Sequence, residues 1–230
     1  MSKLLLLHGA LAGKNQFDKI IPLIDKNLEP TAINFSGHGG SVMPIGGYTF
    51  DTFAKDILNY LEQNKIEKIN LFGFSMGGYA AIYFAKLYPN KVDKIFTLNT
   101  KFNWDPTSTA RETAKLNAEK ILDKVPALAN NLMVLHGMQI WKSVLKETEK
   151  LMNDLTKQVG LSQEDYAQLK TEILIGCSDK DVTATLAENK AVFELLPNAH
   201  FLCLPNTFHP FEQIKPDIIA PFINQFFINK

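Results

Sequence analysis

The stretch Lys68–Ala81, KINLFGFSMGGYAA, sets an apolar run directly before a helix-forming one. Ile69-Asn70-Leu71-Phe72 fits a buried strand, and Tyr79 to Ala85 continues as a helix. Between them stands a G-x-S-x-G, Gly73-Phe74-Ser75-Met76-Gly77. A serine at the apex of so tight a strand-to-helix turn has strained dihedrals, and the glycines two residues to either side make room for neighbouring backbone. Such a turn lifts the hydroxyl clear of the sheet. It also aims the first amides of the helix, including the Met76 N–H, at negative charge developing beside the serine. Glycine and serine also make ordinary turns. The two readings part on whether the chain supplies a base, an orienting acid and a second amide donor.

Composition narrows the classes. A chain of 230 residues, 46 % hydrophobic and 21 % charged, has the balance of a globular protein with one sizeable core. Lysine plus arginine equals aspartate plus glutamate at 24 each, so nothing favours nucleic acid or an acidic membrane surface as partner. Met1-Ser2-Lys3 followed by Leu4 to Leu7 is too short for a signal-peptide core, and no apolar run reaches the ~20 residues of a spanning helix. With only Cys177 and Cys203, no disulfide framework is expected. The expectation is a cytoplasmic protein with two core thiols, and a homodimer is the oligomeric state kept open.

Outward from the serine, the same alternation recurs. Lys3 to Leu7 reads as a strand covered on both faces, followed by a loop through Gly13 and a helix over Asn15–Asp25 with Phe17, Ile20, Ile21 and Ile24 on one face. The segment Gly9 to Lys14 has three residues between its glycines, and Asn15 replaces the Ser or Thr of a phosphate loop, which argues against a nucleotide site. Thr31–Phe35 is the next strand, then a glycine-rich loop around His38, then a helix over Phe50–Gln63. Lys91–Asn99 is a fourth strand. Residues 101–170 are helix-forming and contain no convincing strand. Alternation resumes with a strand at Glu172–Gly176, a helix at Thr183–Leu195, a strand at His200–Leu204 and a last helix ending at Ile228. This order predicts an α/β fold: a doubly wound, mostly parallel sheet of about six strands flanked by helices. Residues 1–100 and 171–230 form the core, and 101–170 a helical insertion, within one structural domain.

In parallel sheets ligands gather past the carboxyl ends of the strands. There the sequence offers Asp179 and Asp181 after one strand and His209 after the last. A serine hydroxyl needs an imidazole as base and an acid to fix its tautomer. Either aspartate fits that requirement, and Asp181 equally fits a cap for the helix beginning near Thr183.

Together, His8-Gly9, Gly37-His38-Gly39, Gly73 to Gly77, Gly176-Cys177-Ser178-Asp179 with Val182, and His209-Pro210-Phe211-Glu212 resemble the motifs of the α/β-hydrolase superfamily across essentially the whole chain. The resemblance implies Ser75 as nucleophile, His209 as base and Asp179 as acid, with Asp181 in reserve. It implies an oxyanion hole from the Ala10 and Met76 N–H groups, with Ala10 small enough to widen the acyl side. It also implies that residues 101–170 are a cap, and that the first strand matches the family's third, leaving six.

Phe74, Trp104 and Trp141 are candidate substrate-binding residues, with Met133, Leu135 and Met138 as further slot candidates. Lys101 and Arg111 are candidates to meet an anionic group. His136-Gly137 repeats the His-Gly pair within helical sequence and receives no catalytic role. No cofactor is implied. No metal is implied either, because His8, His38 and His209 follow different strands and none sits in a close pair. The expected activity is hydrolysis of a small or medium acyl ester or thioester. A triad-dependent lyase of the quinone-biosynthesis type, with the serine as base, and a non-catalytic ligand-binding member are the alternatives.

Overall fold

The computed structural model describes residues 3–157 and 160–228. Met1 and Ser2, Gln158 and Val159 within the insertion, and Asn229 and Lys230 lie outside the described residues.

Six strands, β1 (Leu4–Leu7), β2 (Thr31–Ile33), β3 (Ile69–Phe74), β4 (Val92–Leu98), β5 (Glu172–Ser178) and β6 (Ala199–Leu204), form one sheet in the order β2-β1-β3-β4-β5-β6. Every pairing is parallel. The order doubles back after β2, so the chain covers both faces of the sheet. That explains why β1 and β3 are buried at every position and carry no polar alternation.

One face packs against α1 (Phe50–Gln63), α2 (Met76–Leu87) and α8 (Leu186–Leu195) through Leu5, Leu7, Phe53, Ile57, Ala81 and Val192. The other packs Leu4, Leu6, Phe72 and Phe96 against Phe17, Ile20 and the last helix, α9 (Pro216–Ile228). Helix α1 has the bounds its apolar periodicity predicts, and the Thr49 side chain caps it by accepting from the Thr52 N–H.

The helix expected over Asn15–Asp25 does not form. Three 3₁₀ turns, Lys14–Phe17, Ile21–Leu23 and Lys26–Leu28, take its place. Pro22 is the physical reason: it has no N–H to donate and its ring collides with the carbonyl four residues earlier. The apolar face still buries Phe17, Ile20 and Ile24, so burial survives the loss of regular helix.

Between β4 and β5 lie α3 (Pro106–Thr113), α4 (Ala118–Lys124), α5 (Pro126–His136), α6 (Trp141–Thr156) and α7 (Gln163–Gln168). Leu116, Ile121, Ala129, Leu132, Trp141 and Leu145 give them a small core of their own above the carboxyl ends of the strands. Among the described residues no helix is long and apolar enough to cross a membrane.

Candidate active site

Ser75 lies between β3 and α2 with φ 51° and ψ −116°, a conformation that non-glycine residues rarely adopt. The surroundings hold it there. Its N–H donates to the Leu98 carbonyl at 2.9 Å, and its carbonyl accepts from the Gly78 N–H at 3.0 Å and from Thr100 Oγ1 at 3.1 Å. A Cβ on Gly73 would overlap the Gly77 carbonyl, and one on Gly77 would overlap the Leu7 carbonyl. The two flanking glycines are therefore steric necessities of the turn, as the spacing implies.

His209 sits in the loop after β6, and its Nε2 is 3.3 Å from Ser75 Oγ. Its Nδ1 is 2.6 Å from Asp181 Oδ2. The other carboxylate oxygen of Asp181 accepts from the N–H groups of Thr183 and Ala184, both at 2.8 Å. The carboxylate is thus fixed from both sides and buried.

The carboxylate that meets His209 is that of Asp181, not that of Asp179, where the acid was expected. Asp179 is exposed, and its Oδ1 accepts from the Thr207 N–H at 3.1 Å. Backbone N–H donation from Asn206 and Thr207 holds this carboxyl below its ordinary value. Asp181 rather than Asp179 reaches His209 because of a turn at the strand end, in which the Asp181 N–H donates to the Ser178 carbonyl at 3.1 Å. That turn sends the first carboxylate outward and returns the second to the rim. Asp179 instead ties down the loop that carries His209.

Ala10 and Met76, the expected amide donors, lie with the serine in the wall of one cavity. As the first residue of α2, Met76 has an N–H without an intrahelical acceptor. Ala10 follows Gly9, where an added Cβ would stand 3.4 Å from Ser75 Cβ, so the turn after β1 abuts the serine directly. His8 sets that turn. Its Nε2 accepts from the Phe35 N–H at 3.1 Å, so Nδ1 carries the proton and donates to the Gly9 carbonyl at 2.8 Å. In a trans peptide this points the Ala10 N–H the opposite way.

A cavity of about 1710 Å³ runs from the serine beneath the inserted helices, with Ala10, Ser75, Met76, Trp104, Leu132 and Leu151 in its wall. Phe74 also lines it, its ring 5.5 Å from that of His209. Trp141 does not. It is buried in the core of the inserted helices with Leu132 and Leu145, because its position on α6 faces that core rather than the cavity. Leu135 lines the cavity, Met133 packs on the small core, and Met138 is exposed.

The two candidate cations already have internal partners, although Lys101 also lines the cavity. Lys101 is buried, 3.5 Å from Glu188 and 5.2 Å above the Trp104 ring. Arg111 pairs with Glu112 at 2.9 Å and donates to the Val182 carbonyl at 2.9 Å.

One group was not visible in the order of the chain. His8, His38 and His136 meet in space, with ring centroids 5.0 Å apart for His8 and His38 and 5.8 Å for His38 and His136. Both ring nitrogens of His8 and of His136 are bonded to backbone groups, which leaves neither free as a metal ligand. Burial pushes His8 down to about 4 and lowers His38 and His136 as well.

A parallel α/β sheet with a serine at a strand-to-helix elbow, a histidine within reach of it and a buried aspartate behind the histidine defines a class by fold and geometry together. The chain belongs to the alpha/beta hydrolase fold family, whose model matches residues 3–170. It is 34 % identical over 98 residues to a human serine hydrolase-like protein, a match covering 42 % of this chain and 48 % of that protein. The matched region thus spans about half the length of that relative. A putative 2-succinyl-6-hydroxy-2,4-cyclohexadiene-1-carboxylate synthase of Bacillus subtilis is 24 % identical over 96 % of this chain and 88 % of its own. Among solved structures, MGS-M2, an alpha/beta hydrolase enzyme from a deep-sea metagenome library, superposes with a TM-score of 0.79 at 20 % identity, covering 100 % of this chain and 90 % of that one.

Proposed function

We propose that the chain is a serine hydrolase that cleaves a small or medium acyl ester or thioester. Its carrying observation is the series Asp181, His209, Ser75, linked at 2.6 Å and 3.3 Å, with His209 and Ser75 in the wall of a mostly apolar cavity. His209 Nε2 takes the proton as Ser75 Oγ attacks the acyl carbon, and the carbonyl oxygen becomes an oxyanion facing the Ala10 and Met76 N–H groups. Each such donor is typically worth ~3 kcal/mol of barrier. The imidazolium, held by Asp181, returns the proton to the departing alcohol or thiol. The base then activates a water that frees the acid and restores the serine.

The resemblance to the serine hydrolase-like protein supports this reading, as does the likeness in fold to a thermophilic esterase from Thermogutta terrifontis at a TM-score of 0.74. A lyase using the serine as base is the second reading, favoured by the similarity to the putative synthase along nearly the whole chain. The pairing of Lys101 with Glu188 and of Arg111 with Glu112 weighs against it, because an acidic substrate would have to displace an internal partner. Turnover of p-nitrophenyl butyrate tests the proposal. Activity in the wild type that disappears in Ser75→Ala supports hydrolysis, whereas a wild type inert towards this ester that forms a 2-succinyl-6-hydroxycyclohexadiene carboxylate supports the lyase.

A further inference from the structure

We propose that His136, the last residue of α5, is a positioning residue that holds the oxyanion turn in shape from the inserted helices. The proposal rests on the hydrolase reading and adds a residue to it.

The turn after β1 closes with the Ala12 N–H donating to the Gly9 carbonyl at 3.3 Å, and Leu11 within it has φ 60°. Leucine in the left-handed region is strained, so something must hold it there. The Leu11–Ala12 peptide is gripped at both ends. Its N–H meets the Gly9 carbonyl, and its carbonyl, that of Leu11, lies 3.1 Å from His136 Nε2.

The other ring nitrogen fixes the tautomer. The Gly39 N–H donates to His136 Nδ1 at 3.1 Å, so the proton resides on Nε2 and points at Leu11. Gly39 belongs to the loop after β2, which follows the strand paired with β1. One neutral imidazole therefore ties the cap, the oxyanion turn and the adjoining loop together, and both of its nitrogens are occupied.

His8 and His136 act on the same turn from opposite sides. His8 orients the Gly9 carbonyl, and with it the Ala10 N–H, from the sheet. His136 fixes the next peptide but one from the cap. Without His136 the strained Leu11 is free to relax, and the Ala10 donor leaves the place where the oxyanion forms. A lost hydrogen bond in the cap is thereby felt in the chemical step rather than only in substrate binding.

The test compares His136→Asn with His136→Gln. Asparagine can reach Gly39 as Nδ1 does, and the longer glutamine amide can reach Leu11 as Nε2 does. In p-nitrophenyl butyrate hydrolysis, His136→Asn should lower kcat about 10- to 100-fold with KM nearly unchanged. His136→Gln should regain most of that loss, and the rate of Ser75 labelling by a fluorophosphonate should follow the same order. Equal kcat in the two variants, or a loss confined to KM or to the melting temperature, would overturn the proposal. If wild-type Ser75 does not label at all, the hydrolase reading itself fails; if it labels and His136→Asn labels as fast, only the latch does.

Discussion

Asp181 Oδ2 lies 2.6 Å from Nδ1 of His209, while Asp179, two residues earlier, gives its carboxylate to the Thr207 N–H. The two aspartates thus divide two tasks, one fixing the imidazole and the other fixing the loop that bears it. Asp181→Asn should lower kcat by roughly 10⁴ without unfolding the chain, since an amide in that place favours the wrong imidazole tautomer. Asp179→Asn removes only a loop tie and should cost less than ~10-fold. Steady-state kinetics on both variants checks the assignment, and a larger loss in Asp179→Asn would reverse it.

The buried histidines make stability depend on pH. Unfolded, each titrates near ~6.5, whereas His8 is held at about 4 and His38 and His136 are lowered too. Below ~6.5 the unfolded chain therefore binds protons that the folded chain refuses, and stability falls with pH until the folded groups also titrate. The stabilisation is complete above ~6.5 and declines toward about 4, with His8 alone contributing of order 3 kcal/mol. Urea unfolding at pH 7.5 and pH 5 should show the drop. His38→Phe, which removes a buried Nε2 that has no hydrogen-bond partner among the described residues, should make the drop smaller while leaving the His8 share in place.

The cavity should sort substrates by acyl length. Leu135 lines it from the inserted helices, on the side of Gly13 and Asn34. Leu135→Trp should lower kcat/KM for a p-nitrophenyl octanoate by about 10-fold or more while sparing the acetate, because only the longer chain needs the filled space. A chain-length panel reads this directly, and equal losses on both esters would place the acyl group elsewhere.

How far these features could be read from the sequence differs element by element. The strand, serine elbow and helix were legible because a parallel sheet buries its strands on both faces, leaving apolar runs bounded by turn residues. The choice between Asp179 and Asp181 was not, since a turn at Ser178 decides it and both residues are equally acidic. Pro22 was a signal that could have warned against a regular helix over Asn15–Asp25. Trp141 shows the limit of reading an insertion, where aromatic residues serve the core of the insertion as readily as a cavity. The meeting of His8, His38 and His136 depends on β1 lying beside β2 and on where α5 settles, neither of which is local to any histidine.

The most direct measurement is to treat the chain with a fluorophosphonate and map the adduct by peptide mass spectrometry. A phosphonyl group on Ser75, absent in Ser75→Ala and formed far more slowly in His209→Ala, is the predicted result. No adduct on Ser75, with ester turnover persisting in Ser75→Ala, would contradict the assignment of that hydroxyl as the nucleophile.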